Sequence, residues 1–133
     1  MARETVEAML RVLNEAFSRG DIEAVLGFTA DDVEVRPPTY RLEGIAFHGH
    51  VGVRALMERI AETWQAVDFS PRGFTAVGDH YVMALDVRLT GHGSGAPVDQ
   101  RSWTVYTLRD GKVATSFSYP SEREAQEAAG LRE

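Results

Sequence analysis

The apolar positions of this chain change period part-way along it. Val6, Met9, Leu10, Leu13 and Phe17 recur at spacings of three and four, which predicts an amphipathic helix with Arg3, Glu7, Arg11 and Glu15 on its other side. Gly20 ends that helix, and Asp21 is placed to cap a short second one carrying Ile22, Val25 and Leu26. Thr29-Ala30-Asp31-Asp32 reads as a turn and Val33-Glu34-Val35-Arg36 as an edge strand, stopped by Pro37-Pro38 because proline cannot donate to a ladder. Residues 39–50 read as irregular. Val53, Leu56, Met57, Ile60, Ala61 and Trp64 then return to helical spacing and predict a third helix over 51–66.

From about residue 67 the period becomes two. A strand over 67–76 is interrupted by Pro71 and Gly73, and three more follow over 81–89, 98–108 and 112–119, rich in β-branched and aromatic residues. Asp110-Gly111 supplies the positive φ of a tight hairpin between the last two, and 91–97 is a glycine-rich hairpin loop. Ser121-Glu122-Arg123-Glu124 is a capping box that opens a final short helix ended by Gly130. Helices followed by a run of antiparallel strands make an α+β layer fold. The expected architecture is a curved antiparallel sheet closed by the N-terminal helices into a cone, with a cavity between them, in one domain over 1–133.

Composition removes several function classes. There is no cysteine, which excludes disulfides, thiolate metal sites and cysteine catalysis and suits a cytoplasmic location. A net charge of −6 disfavours nucleic acid and anionic membranes as partners. No apolar run approaches the length of a membrane span, and the N-terminus does not read as a signal peptide.

Several segments, in this order, resemble the SnoaL-like branch of the nuclear transport factor 2-like superfamily: Gly20-Asp21, Val33-Glu34-Val35-Arg36-Pro37, Phe47-His48-Gly49-His50-Val51-Gly52-Val53, Gly91 to Asp99, Asp110-Gly111-Lys112-Val113, and Glu124 to Leu131. The resemblance implies the fold and leaves the activity open, since the superfamily holds isomerases, cyclases, epoxide hydrolases, dehydratases and non-catalytic proteins. Ketosteroid isomerases use an aspartate base with a tyrosine and a protonated aspartate as donors. The corresponding positions here are Pro37, Leu13 and Thr104, so that mechanism is not expected. The aspartate that limonene epoxide hydrolases carry on the final strand corresponds to Ser118. Asp86 and Arg88 have the spacing of the paired groups of those enzymes, but in reversed order and on the wrong face.

By strand parity the inner sheet face carries Met83, Leu85, Val87 and Leu89 with Ser102, Thr104, Tyr106, Ser116 and Ser118. Hydroxyls orient a ligand but are poor proton acceptors at neutral pH. The expected ligand-binding residues are Phe17, Tyr40, Met57, Trp64, Met83, Leu85, Val87, Thr104, Tyr106, Ser116 and Ser118. His48 is the one histidine retained as a candidate for proton transfer. The four histidines are not arranged as a metal site, and no cofactor is expected. The outer face carries Trp103, Val105, Phe117 and Tyr119, too apolar to leave in water, and the resemblance implies a homodimer through it. Asp86 with Arg88 or Arg101 would then form interface ion pairs. Two functions follow. One is binding of a small apolar or polycyclic molecule, with or without cofactor-free cyclase, isomerase or dehydratase chemistry; the alternative is a non-catalytic dimeric binding or adaptor protein.

Overall fold

The structure is a computed structural model that describes residues 2–38, 44–93 and 96–130. Helices α1 (Arg3–Arg19) and α2 (Ile22–Phe28) precede strand β1 (Thr29–Arg36) and the two-residue β2 (Phe47–His48). Helix α3 (Gly49–Thr63) leads directly into β3 (Trp64–Val77), which is followed by β4 (His80–Gly91), β5 (Pro97–Arg109), β6 (Lys112–Tyr119) and α4 (Glu122–Ala128). The sheet order is β2-β1-β6-β5-β4-β3. Neighbours run antiparallel except β1 and β6, which are parallel. The expected α+β architecture is present, a curved open sheet carrying helices on its concave side.

Local chemistry sets the element ends. Gly20 takes φ 72°, and its N–H closes α1 on the carbonyls of Ala16 and Phe17. The Asp21 carboxylate accepts from the Ala24 N–H and so caps α2. Asp110 and Gly111 take φ 54° and 76°, the paired positive values of a tight hairpin. The Ser121 hydroxyl accepts from the Glu124 N–H and donates to its carboxylate at 3.0 Å, so the capping box forms.

Three expectations are corrected. Helix α3 stops at Thr63 instead of Ala66, because Trp64 and Ala66 pair with Gly91 and Thr90 of β4; the ladder outweighs the helical period. Thr29 to Asp32 are strand, not turn, because Thr29 pairs with Val113 of β6, with an irregularity before Glu34. Strand β1 therefore lies inside the sheet, between β2 and β6, and is not an edge.

The main core lies between the concave face and the helices. Met83, Leu85 and Val87 of β4 are fully buried against Val6 and Leu10 of α1 and Val53 and Leu56 of α3. The register shift at Pro71/Gly73 adds a bulge to β3, and such bulges bend a strand. On the convex side α4 covers Val82 and Val105 through Ala125 and Ala129, with Trp103 and Tyr119 packed against the cluster. Part of the outer apolar face is thus covered by the chain's own last helix. Beyond α4 that face is charged. Arg72 and Arg101 pair with Asp86 at 3.0 and 3.5 Å, and Arg88 pairs with Asp99 at 2.7 Å. Within the chain Asp86 lies opposite Arg101, and Arg88 opposite Asp99, in the β4–β5 register. That contact lowers the Asp99 carboxyl pKa, chiefly through the hydrogen bond from Arg88. No helix of the described residues is long and apolar enough to cross a membrane.

Candidate functional site

A cavity of about 50 Å³ lies between the concave face and the helices. Its apolar wall is Leu13 and Phe17 of α1, Val25 of α2, Val35 of β1, Val53 of α3, Phe69 of β3, Leu85 of β4 and Val113 of β6. Its polar wall is a block of four side chains from two neighbouring strands. Thr104 lies opposite Ser118, and Tyr106 opposite Ser116, in the β5–β6 register. Positions two apart on a strand share a face, so all four point inward. Pro37 and Pro38, just past the end of β1, line one end.

Asn14 joins this wall from the helix side. Its Nδ2 lies 2.8 Å from the Leu10 carbonyl oxygen, 3.2 Å from the Tyr106 hydroxyl and 3.5 Å from the Met83 sulfur. Thr104 and Ser118 share a hydrogen bond of 3.0 Å. Thr29 also lines the cavity, but its hydroxyl is turned back on the Leu26 and Val25 carbonyls. Burial pushes the Tyr106 phenol up to about 12, with hydrogen bonds from Asn14 and Ser116 opposing the shift. Among the described side chains lining the cavity tyrosine is the one ionisable type, and it is neutral at physiological pH. Among the described residues the wall therefore donates hydrogen bonds and offers no carboxylate or imidazole as base.

A second cavity, of about 470 Å³, adjoins the first at Pro37 and Ser118, which line both. Its other walls include Arg36, Ile45, Phe117, Tyr119 and Glu124. The Arg36 guanidinium lies 4.4 Å from the centre of the Phe117 ring and is paired with Glu34 at 3.0 Å. The half-buried Tyr119 hydroxyl is shifted upward by desolvation, against the opposing charge of Arg36.

Of the residues singled out from the sequence, Phe17, Leu85, Thr104, Tyr106, Ser116 and Ser118 line the inner cavity. Met83 and Val87 belong to the packed core of the same face. Met57 and Trp64, with Phe17 again, line a separate groove of about 160 Å³ beside the start of β3. Trp64 sits there because the chain turns from helix to strand at that residue. Tyr40 lies outside the described residues. His48 is exposed, opposite Glu34 in the β1–β2 pair, and lines neither cavity. His50 Nε2 lies 3.1 Å from the Thr29 carbonyl, to which it donates. No three His, Asp or Glu side chains among the described residues come together to hold a metal ion. Sequence reasoning missed Asn14. Its signal was present: it stands four residues after Leu10 and three before Phe17, a polar residue on the apolar stripe of α1.

Residues 6–116 match the SnoaL-like domain family. The chain belongs to that family. No curated protein matches it. Among solved structures this SnoaL-like domain is similar to an NTF2-like protein of unknown function from Burkholderia pseudomallei, at 22% identity and a TM-score of 0.75, over 98% of this chain and 99% of that one. It is similar to a putative polyketide cyclase from Xanthomonas campestris pv. campestris, at 20% identity and a TM-score of 0.74, over 96% and 98% of the two chains. TerC, crystallised with polyporic acid, is 24% identical with a TM-score of 0.73, over 93% and 96%. At these identities the likeness shows that this SnoaL-like domain shares their fold.

Proposed function

We propose that this protein binds a small, neutral, largely apolar molecule in the inner cavity, without a cofactor. The observation that carries the reading is the lining itself: apolar on most sides, with hydroxyls and one amide on one wall and no charged side chain among the described residues. Burying a charge without a partner is costly, so such a site favours neutral ligands. At about 50 Å³ the inner cavity is well below the roughly 300–1,000 Å³ of ordinary ligand pockets. A polycyclic body is too large for it alone, and the adjoining 470 Å³ cavity supplies the remaining room. The co-crystallisation of TerC with polyporic acid supports the idea that this fold seats small molecules.

Nuclear magnetic resonance titration with benzene tests the reading. Signals of Leu85 and Tyr106 should shift with saturation, and Val35→Trp, which fills the inner cavity, should remove the effect. Benzene that leaves those signals unmoved in the wild type overturns it.

A second reading concerns assembly. The convex face beyond α4 carries both signs of charge side by side, on Asp86, Arg88, Asp99 and Arg101, an arrangement that can complement itself across a two-fold axis. A homodimer through this face and the adjoining Trp103 and Phe117 is expected to sediment as such at micromolar concentration, and Arg101→Glu to weaken it. A monomeric wild type overturns this.

A further inference from the structure

The hydrogens of the polar wall can be assigned one by one. A carbonyl oxygen only accepts, so the atom of Asn14 that faces the Leu10 oxygen at 2.8 Å must be the amide nitrogen. That nitrogen also faces the Tyr106 hydroxyl at 3.2 Å, so Asn14 donates and the phenolic oxygen accepts. The phenolic hydrogen must point elsewhere. Ser116 is the hydroxyl opposite Tyr106 in the β5–β6 register. If the phenolic hydrogen turns to Ser116, the Ser116 hydrogen is left over; if it turns away, it is itself the spare one.

Thr104 and Ser118 repeat the pattern. Their oxygens are 3.0 Å apart, so one hydroxyl hydrogen lies between them. The second has no acceptor among the hydrogen bonds of the described residues. The wall therefore holds two spare hydrogens, one per pair, about 7 Å apart along β6. Unfilled donors in a buried site are more costly than unfilled lone pairs. An acceptor oxygen on a ligand relieves the one it meets, and a single oxygen cannot reach both.

Resting on the binding reading above, we propose that the cavity selects neutral molecules bearing a carbonyl-type acceptor oxygen, held by the hydrogen that the Thr104–Ser118 pair leaves over. The oxygen-bearing end occupies the inner cavity. The body lies across Pro37 and Ser118 in the outer one, against Phe117 and Tyr119.

Acetophenone and α-methylstyrene test this, since C=O and C=CH₂ have nearly the same planar shape. Affinities come from amide-signal shifts on β5 and β6. Acetophenone should bind about tenfold or more tightly, although α-methylstyrene is the more apolar of the two. Thr104→Val and Ser118→Ala singly leave one free hydroxyl hydrogen in that pair, so each should keep most of the preference. Together they remove both hydrogens, and the preference should fall by about tenfold. Equal affinity for both compounds in the wild type overturns the proposal and leaves the binding reading standing. Binding of neither overturns both. Single substitutions that abolish the preference as fully as the double one also overturn the assignment of hydrogens. If the double variant does not fold, the wild-type comparison and the single variants still decide.

Discussion

Asn14 and Tyr106 are 92 positions apart in the chain, and the amide of one donates to the hydroxyl of the other at 3.2 Å. Both are buried, so the bond fixes the hydrogen-bond polarity of the cavity wall. It also ties the middle of α1 to the centre of the sheet.

Removing the bond should have two effects. Asn14→Leu takes away a donor that holds the Tyr106 pKa down, so the phenol should titrate higher still, read from tyrosinate absorbance in alkaline solution. The variant should also be less stable, by about 1–3 kcal/mol, because a buried hydroxyl loses its partner. An unchanged phenol titration would contradict the assignment.

The pH dependence of stability follows from the same residue. Tyr106 is raised from 10 to about 12 in the folded protein. Below pH 10 it is protonated in both states and contributes no slope. Between these values the unfolded chain releases the proton first, so stability falls as pH rises. The loss from this group reaches about 3 kcal/mol once the folded value is passed. Denaturant unfolding across this range should show the wild type losing more stability than Tyr106→Phe. Parallel losses in the two would refute this.

Trp64 gives a packing prediction. A fully buried tryptophan replaced by alanine costs about 3–5 kcal/mol. Trp64 is half-buried in the groove between α1, α3 and β3, so Trp64→Ala should cost about 2–3 kcal/mol, in proportion to the apolar area it covers. Urea midpoints measure it, and a cost at the core value would mean that the side chain is fully enclosed.

Leu13, Pro37, Thr104 and Ser118 all line the cavity, and none of them can take up a proton at neutral pH. No isomerisation of a 5-ene-3-ketosteroid and no hydrolysis of limonene epoxide above background is expected, since a lost general base costs about 10²–10⁴ in rate. Absorbance of the conjugated ketone and chromatography of the diol check the two. Turnover abolished by His48→Ala would overturn this and bring that exposed histidine into the chemistry.

Much of the layer architecture was legible because it rests on period. The α1 and α3 stripes and the three long C-terminal strands follow directly from the spacing of their apolar residues. What was not legible depended on pairing partners. Nothing local in Thr29-Ala30-Asp31-Asp32 favours strand; Val113, far along the chain, makes it one. Trp64 continues the helical stripe, yet the ladder with β4 takes it. At the site, parity along β5 and β6 placed the four hydroxyl-bearing side chains on one face. It could not show that Asn14 reaches them, because that contact depends on how α1 lies across the sheet. The apolar outer face was read correctly as needing cover, but α4, which supplies part of it, was read only as a short terminal helix.

The parallel pairing of β1 with β6 also has a consequence for synthesis. Strand β1 leaves the ribosome together with the apolar stripes of α1 and α2, well before its partner β6, which follows β3, β4 and β5 in the chain. At about 5–20 residues per second, those early segments wait on the order of ten seconds for the surface that will cover them. The nascent chain thus passes through a stage of exposed apolar surface that the finished protein never shows. A chain stopped before Lys112 leaves β1 without that partner and should be held by chaperones or aggregate.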